Sequence, residues 1–362
     1  VDSLKRMIYG WEAGDHSPNA FYRRLYARAF GMSEDELFGS PGHDAIRKSL
    51  DEALLTGAIN DSALEGWEIV AAQYSRAAHT KPPGVLLHDL GADLADLGHL
   101  LNQRRAISTL RRLTRVAAQM AGLMCLTYIK LDERHAFLRW ARTARMAARE
   151  AGDPSVVSWV LAQEAYGHFY AGDFTEAISV TREAQDIRIS CVGAVLAAAL
   201  EARAQAALGP ARAPEARSAL IRAEALLDSL AREDVNDSAF GYNRAQLYFH
   251  RSNAYTHLGE TTSAWAAQEQ ALALYQKSDF VDRALTRLDR TICLARTGDS
   301  AGALSYAADT LTPLTPDQLT GIITLRGLDV LKAIPPRQRA LPAAAQLREL
   351  LTPPGKERSE QA

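Results

Sequence analysis

Glu164 and His168 stand four positions apart in Ser158–Ala184, SWVLAQEAYGHFYAGDFTEAISVTREA. On a helix this spacing places a carboxylate and an imidazole on one face, one turn apart, where they can share a proton. General-base catalysis needs a nucleophile as well, and no serine or cysteine recurs at a matching position. His168 is therefore expected to be a packed, hydrogen-bonded histidine. His88 and His99 are eleven positions apart. A continuous helix would set them about 16 Å apart, too far to share a metal ion, and Gly91 and Gly98 put that helix in question. Asp89, Asp93 and Asp96 fall on one helical face without the loop that folds oxygens around a divalent cation, so they are expected to face water or basic neighbours. Cys125, Cys191 and Cys293 lie far apart in Ala- and Leu-rich text. With no Cys-x-x-Cys pair or nearby histidine, they read as small buried hydrophobes in a reducing compartment. The chain has no Gly-x-Gly-x-x-Gly, Walker loop, His-Glu-x-x-His or Gly-x-Ser-x-Gly. The expectation is a protein that is not an enzyme, with no catalytic residue, metal or cofactor.

The 362 residues carry a formal net charge of -2, so no global field draws the chain to nucleic acid. No apolar run is long enough to span a bilayer and no secretory leader is evident, which predicts a cytoplasmic protein without a membrane partner.

The text that positions these residues is helical. In Ser158–Ala184, Leu161, Ala165 and Phe169 recur at helical spacing before Gly172-Asp173, and Ala177, Val180, Thr181 and Ala184 recur after it. Gly172 lets the chain reverse and Asp173 can cap the next helix. Weaker copies turn at Leu131-Asp132, Gly209, Gly259 and Gly298-Asp299. Small residues follow each turn: Ala136 and Ala144, Ala216 and Ala223, Ala264 and Ala271, Ala303 and Ala307. One such hairpin cannot bury its own apolar stripe and needs stacked neighbours.

The pattern resembles the tetratricopeptide family, most clearly at Glu176, Ala177 and Ala184. It lacks that family's Trp-x-x-Leu-Gly signature, and its turn-to-turn spacings of 37 to 50 exceed the usual repeat of about 34. The fold class expected is all-α: a short N-terminal unit, then a right-handed tetratricopeptide-like α-solenoid over 85–350. Residues 40–84 read as a helical linker with a stiff hinge at Lys81-Pro82-Pro83-Gly84, and 351–362 as a disordered tail. Phe240 to Leu258 reads as one long helix. Gly321 to Leu331 reads as the last helical segment, with Pro335, Pro336 and Pro342 expected to break the chain beyond it. Residues 101–150, with eleven basic side chains and three acidic ones, form the one sharply basic region. They could meet phosphate, an acidic peptide or the acidic helix next door. A solenoid groove would use first-helix residues, here Glu164, His168, Tyr248, Arg251, Tyr255, Arg283 and Arg287, to hold a peptide or protein.

Residues 1–39 predict about three short helices. Leu4, Met7, Ile8 and Trp11 form one stripe. Phe21, Tyr22, Leu25, Tyr26 and Phe30 continue it beyond Pro18, and Ser33 with Glu36 is a capping-box pattern. Lys5, Arg6, Trp11, Glu12, Gly14 and Pro18, with FYRRLYARAFGMSEDELFG after them, resemble the C-terminal part of an Xre-type helix-turn-helix domain of actinobacterial regulators. The resemblance implies a recognition helix over 3–12, with Ser3, Lys5, Arg6 and Tyr9 near DNA. Such a domain has two further helices upstream, and without them weak DNA binding is expected. It also implies a transcriptional regulator whose repeats sense a peptide or recruit a partner. The alternatives are an interaction scaffold without DNA binding, or a homodimer held by its last repeats.

Overall fold

The computed structural model describes residues 5, 8, 9, 11, 20–30, 61–103, 106–187, 189–319 and 321–352. Ser3, Arg6, the Ser33/Glu36 pair, residues 40–60 of the expected helical linker, Arg104, Arg105 and the tail after Pro353 lie outside the described residues. The chain divides into two compact units, 1–59 and 60–362. Among the described residues there are helices and no strands.

In the first unit, Lys5, Ile8, Tyr9 and Trp11 are helical, and α1 spans Ala20–Phe30. Trp11 packs on α1 through Tyr22 and Tyr26, with ring centroids 4.9 and 6.1 Å away. Ile8 and Trp11 are half-buried, Lys5 is exposed and Tyr9 is 70% exposed, as the apolar stripe requires.

The second unit holds α2 (Asp61–Thr80), α3 (Pro83–Leu101), α4 (Ile107–Lys130), α5 (Arg134–Ala151), α6 (Pro154–Tyr170), α7 (Phe174–Asp186) and α8 (Val192–Ala207). It continues with α9 (Ala213–Asp228), α10 (Arg244–Leu258), α11 (Thr261–Leu274), α12 (Phe280–Arg296), α13 (Ser300–Leu311), α14 (Gly321–Ala333) and α15 (Pro342–Leu351). Helices α4 to α13 pair in sequence as five hairpins. The first helix of each hairpin also packs on that of the next, giving a row α4, α6, α8, α10, α12, to which α14 adds itself. The last of the row returns to the first: the Cα of Gly321 lies so close to the Leu131 carbonyl that a side chain there would overlap it.

The five turns are those read from the sequence, and each carries a residue in left-handed backbone: Asp132, Gly172, Gly209, Gly259 and Gly298. In four of them the same bond closes the helix end, a backbone N–H donating to the carbonyl five residues back. The pairs are Glu133 to Tyr128, Asp173 to His168, Glu260 to Tyr255 and Asp299 to Leu294, at 2.9–3.1 Å. The Gly209 turn differs, running into a single 3-10 turn at Pro210–Arg212. The alanines expected at helix contacts after each turn are all buried.

Close approach is tightest around Trp159 of α6. Its indole covers Gly122 of α4, its Nε1–H donates to the Ala239 carbonyl at 2.7 Å, and its ring meets Phe240 edge-on at 5.0 Å. The backbone of Ser158 and Trp159 lies directly against Gly193 of α8. α8 is rich in alanine, so helices can press on it from several sides.

Several expected boundaries move. Lys81–Gly84 is a corner inside the second unit, because α2 and α3 both pack on α4. α3 runs unbroken through Gly91 and Gly98. α10 begins at Arg244, not Phe240. Asn243 caps it by accepting from the Gln246 N–H at 3.1 Å, while Gln246 accepts from the Asn243 N–H at 2.9 Å. Asn243→Ala should lower unfolding free energy by about 1 kcal/mol in a denaturant titration. Pro342 starts a helix, α15, instead of ending one, since proline at the first helical position lacks an N–H that would go unpaired there anyway. Leu351 of α15 is buried against Gly327, so the core extends one residue past 350.

Candidate ligand-binding site

The row of first helices encloses polar side chains. Arg203 of α8 is 1% exposed. Its Nε–H donates to Asn253 Oδ1 at 2.9 Å, Nη2 donates to the Tyr170 hydroxyl at 3.2 Å, and Nη1 lies 3.4 Å from His250 Nδ1. Burial and the Arg203 charge push the His250 pKa well below the usual imidazole value. His250 is thus neutral, with Nδ1 accepting from Arg203 and the proton on Nε2. Phe169, Phe249, Tyr170 and Tyr166 present rings 4.2 to 5.4 Å from the guanidinium carbon. Among the described residues no carboxylate forms an ion pair with Arg203. Glu201, two positions earlier and 5% exposed, is paired with both Arg182 and Arg222.

A network runs on from Arg203. Asn253 Nδ2 donates to Asp289 Oδ2 at 2.9 Å, and Arg326 Nε donates to Asp289 Oδ1 at 2.6 Å. Arg326 also meets Asp329, which Lys332 approaches to 2.9 Å. These groups line a cleft of about 330 Å³ between the C-terminal end of α6 and helices α8, α10, α12 and α14. Its apolar wall is Phe169, Phe174, Phe249, Leu285, Ile322 and Leu325. Its charged lining is Arg203, Arg326 and Lys332 against Asp289 and Asp329, one positive charge in excess. His257 also lines the cleft, held neutral by burial and by Arg326, Arg203 and Arg296. Concave, part-aromatic walls with a few converging polar groups can hold a small anionic molecule.

The seven first-helix residues named from the sequence do not line this cleft. Glu164 pairs with Arg145 of α5 at 2.8 Å, not with His168. His168 packs edge-on against Phe137, its Nδ1 3.8 Å from Asp173. Arg251 reaches Glu224 of α9 at 2.9 Å and covers the Tyr248 ring. Tyr255 packs on the cluster around Ala219 and Ala254. Arg283 donates to the Leu272 and Tyr275 carbonyls that end α11. Arg287 donates to Thr310 at 2.9 Å and lies over Tyr306. Most of these side chains reach toward second helices. The cleft takes Phe249, Asn253 and His257, spaced by four and offset from Tyr248, Arg251 and Tyr255 by one or two positions.

Five arginines of the basic segment are paired with carboxylates of the chain. Arg112 pairs with Glu68, Arg115 with Asp153, Arg134 with Asp173, and Arg145 and Arg149 with Glu183. Of the aspartates on α3, Asp89 pairs with Lys81 and Asp93 accepts from the Tyr74 hydroxyl. The three cysteines are buried and unpaired with one another, and burial pushes the Cys125 thiol up, away from its reactive form.

A second polar cluster was not legible in the sequence, because its members are 200 residues apart. His79 of α2 lies 3.4 Å from Asp279, and donor atoms of His79, Asp279 and Asp282 fall within 4.8 Å of one another, a metal-like composition. Buried Lys130 stands beside them as a positive charge, donating to the Ala78 carbonyl at 2.5 Å. Tyr275 donates to Asp282 at 3.1 Å. Burial and Asp279 push the Asp282 pKa up to about 6, against the pull of His79, Lys130 and the Tyr275 hydroxyl. The folded chain therefore holds this proton more tightly than the unfolded chain. The associated stability is present below about pH 4 and lost as pH rises through about 6. Asp282 keeps some contact with solvent, so the loss should be about 2 kcal/mol rather than the full pKa difference. Denaturant titrations of wild type and Asp282→Asn between pH 4 and 8 check this through their difference: the stability of wild type relative to the variant should fall as pH rises through about 6, the histidine contributions being common to both.

No family model matches the chain, and neither a curated protein nor a solved structure does.

Proposed function

We propose that this protein is a transcriptional regulator in which a tetratricopeptide-like solenoid senses a small ligand and an Xre-type head contacts DNA. The observation that carries the sensing role is the cleft where Arg203 is buried as a cation without a carboxylate partner, between helices that belong to different hairpins. A ligand there touches α6, α8, α10, α12 and α14 at once, so its binding energy can bias the relative placement of several repeats. The head rests on the resemblance at Lys5, Arg6, Trp11, Glu12, Gly14 and Pro18. Exposed Lys5 and Tyr9, with Trp11 packed on α1, support it. Peptide or protein binding along the solenoid, through surface residues such as Tyr248 and Arg251, and homodimerisation belong to the same reading.

The test is selection of bound duplexes from a random-sequence pool by the purified protein. An enriched motif whose recovery falls on Lys5→Ala supports a regulator. Equal retention of all sequences, even when an upstream helix pair is restored ahead of the recognition helix, overturns it in favour of an interaction scaffold.

A further inference from the structure

The Arg203 guanidinium cannot shed its charge by deprotonation near neutral pH. A buried ion without a counter-ion is costly, and chains normally pair it or neutralise it. Here its three hydrogen-bonding partners, Asn253, Tyr170 and His250, are all neutral. The nearest carboxylate in the network, Asp289, is reached through Asn253 and is already held by Arg326. The aromatic rings around the guanidinium offset part of the cost. They leave the formal charge unmatched, and the cleft lining carries the same single excess.

We propose that the cleft binds a small organic acid, its carboxylate supplying the missing counter-charge to Arg203 and its apolar body lying against Phe169, Phe249 and Leu285. A free acid fits better than a long peptide: 330 Å³ is the volume of roughly eleven water molecules and lies at the small end of ligand sites. A carboxylate also matches the planar guanidinium geometrically. Lys332 at the exposed rim and the largely buried Arg326 add attraction while remaining tied to Asp329 and Asp289. His257, kept neutral by burial and three arginines, becomes easier to protonate once an anion sits in the cleft. This assignment rests on the reading of the second unit as a ligand sensor.

The test is calorimetric titration of the whole protein with 3-phenylpropanoate and with 3-phenylpropanamide, alongside the tripeptide Gly-Phe-Leu as free acid and as C-terminal amide. The expected result is one-to-one binding of 3-phenylpropanoate, at least tenfold weaker binding of its amide, and loss of that preference in Arg203→Met. A rise in the His257 imidazole pKa on adding the acid, followed by NMR, should accompany it. Equal affinity for acid and amide, or an undiminished preference in Arg203→Met, overturns the proposal. Tighter binding of the tripeptide acid than of 3-phenylpropanoate overturns the free-acid assignment in favour of a peptide C-terminus. If circular dichroism shows that Arg203→Met does not fold, the acid-against-amide comparison in wild type decides. No acid binding beside intact operator selection overturns the ligand class alone. Acid binding at Arg203 without any selected DNA supports the ligand class and overturns the regulator.

Discussion

Asp289→Asn should lower the unfolding free energy by about 3–5 kcal/mol, the usual cost of removing one member of a buried ion pair. The Asp289 side chain is 1% exposed and is the carboxylate that joins Arg326 to Asn253, and through Asn253 to Arg203. Asparagine keeps the shape and removes the charge. Arg326 then retains only the more exposed Asp329 as a counter-ion, while the positive charge of Arg203 loses its nearest offset. The measurement is urea unfolding of the single variants and of Asp289→Asn with Arg326→Met. The double variant should regain part of the loss, because an apolar side chain replaces a stranded cation. If Asp289→Asn costs under 1 kcal/mol, the network is not the electrostatic centre of the helix row.

Gly193→Ala is expected to have the next largest effect, about 3 kcal/mol or more. The clash is with backbone, which cannot rotate away as a flexible side chain can. An added methyl would overlap the Trp159 nitrogen and the Ser158 carbonyl carbon, so α6 and α8 would have to separate. That separation would also disturb Trp159, whose indole bridges Gly122 and Ala239. Gly84→Ala is a suitable control: it is also helical, but its added methyl meets nothing within 4 Å, and it should change stability by under 1 kcal/mol. Thermal unfolding monitored by circular dichroism compares the two directly.

Both predictions concern pairs that no short-range pattern reveals. Gly193 and Trp159 are 34 positions apart, and Asp289 meets an arginine 37 positions later. The local signals were a good guide to local structure. Helical spacing, small residues and Gly-Asp turns located all five reversals, and the structure repeats one closing bond at four of them. Prolines were less reliable guides, because proline ends a helix at one position and starts one at another. Pro342 does the second.

The site was less legible. The sequence pointed to first helices of the hairpins, and the cleft-facing positions of those helices differ from the ones chosen by side-chain type. Tyr248, Arg251 and Tyr255 carry the more conspicuous chemistry, whereas Phe249, Asn253 and His257 face the cleft. Along a helix a shift of one residue rotates a side chain by about 100°, and sequence spacing does not say which stripe faces the axis of the row. In the sequence nothing sets Arg203 apart within its alanine-rich stretch. Its burial arises from how α6 and α10 pack on either side of α8.

By itself, then, the sequence determined the helical class, the five turns and the small-residue contact faces, since backbone conformation and periodicity are set by neighbours along the chain. The tertiary structure decided which arginine is enclosed, that no carboxylate among the described residues pairs with it, and that His79 and Asp279 meet at all. Those outcomes depend on the stacking angles and closure of the helix row, where burial changes what a charge costs and who can offset it.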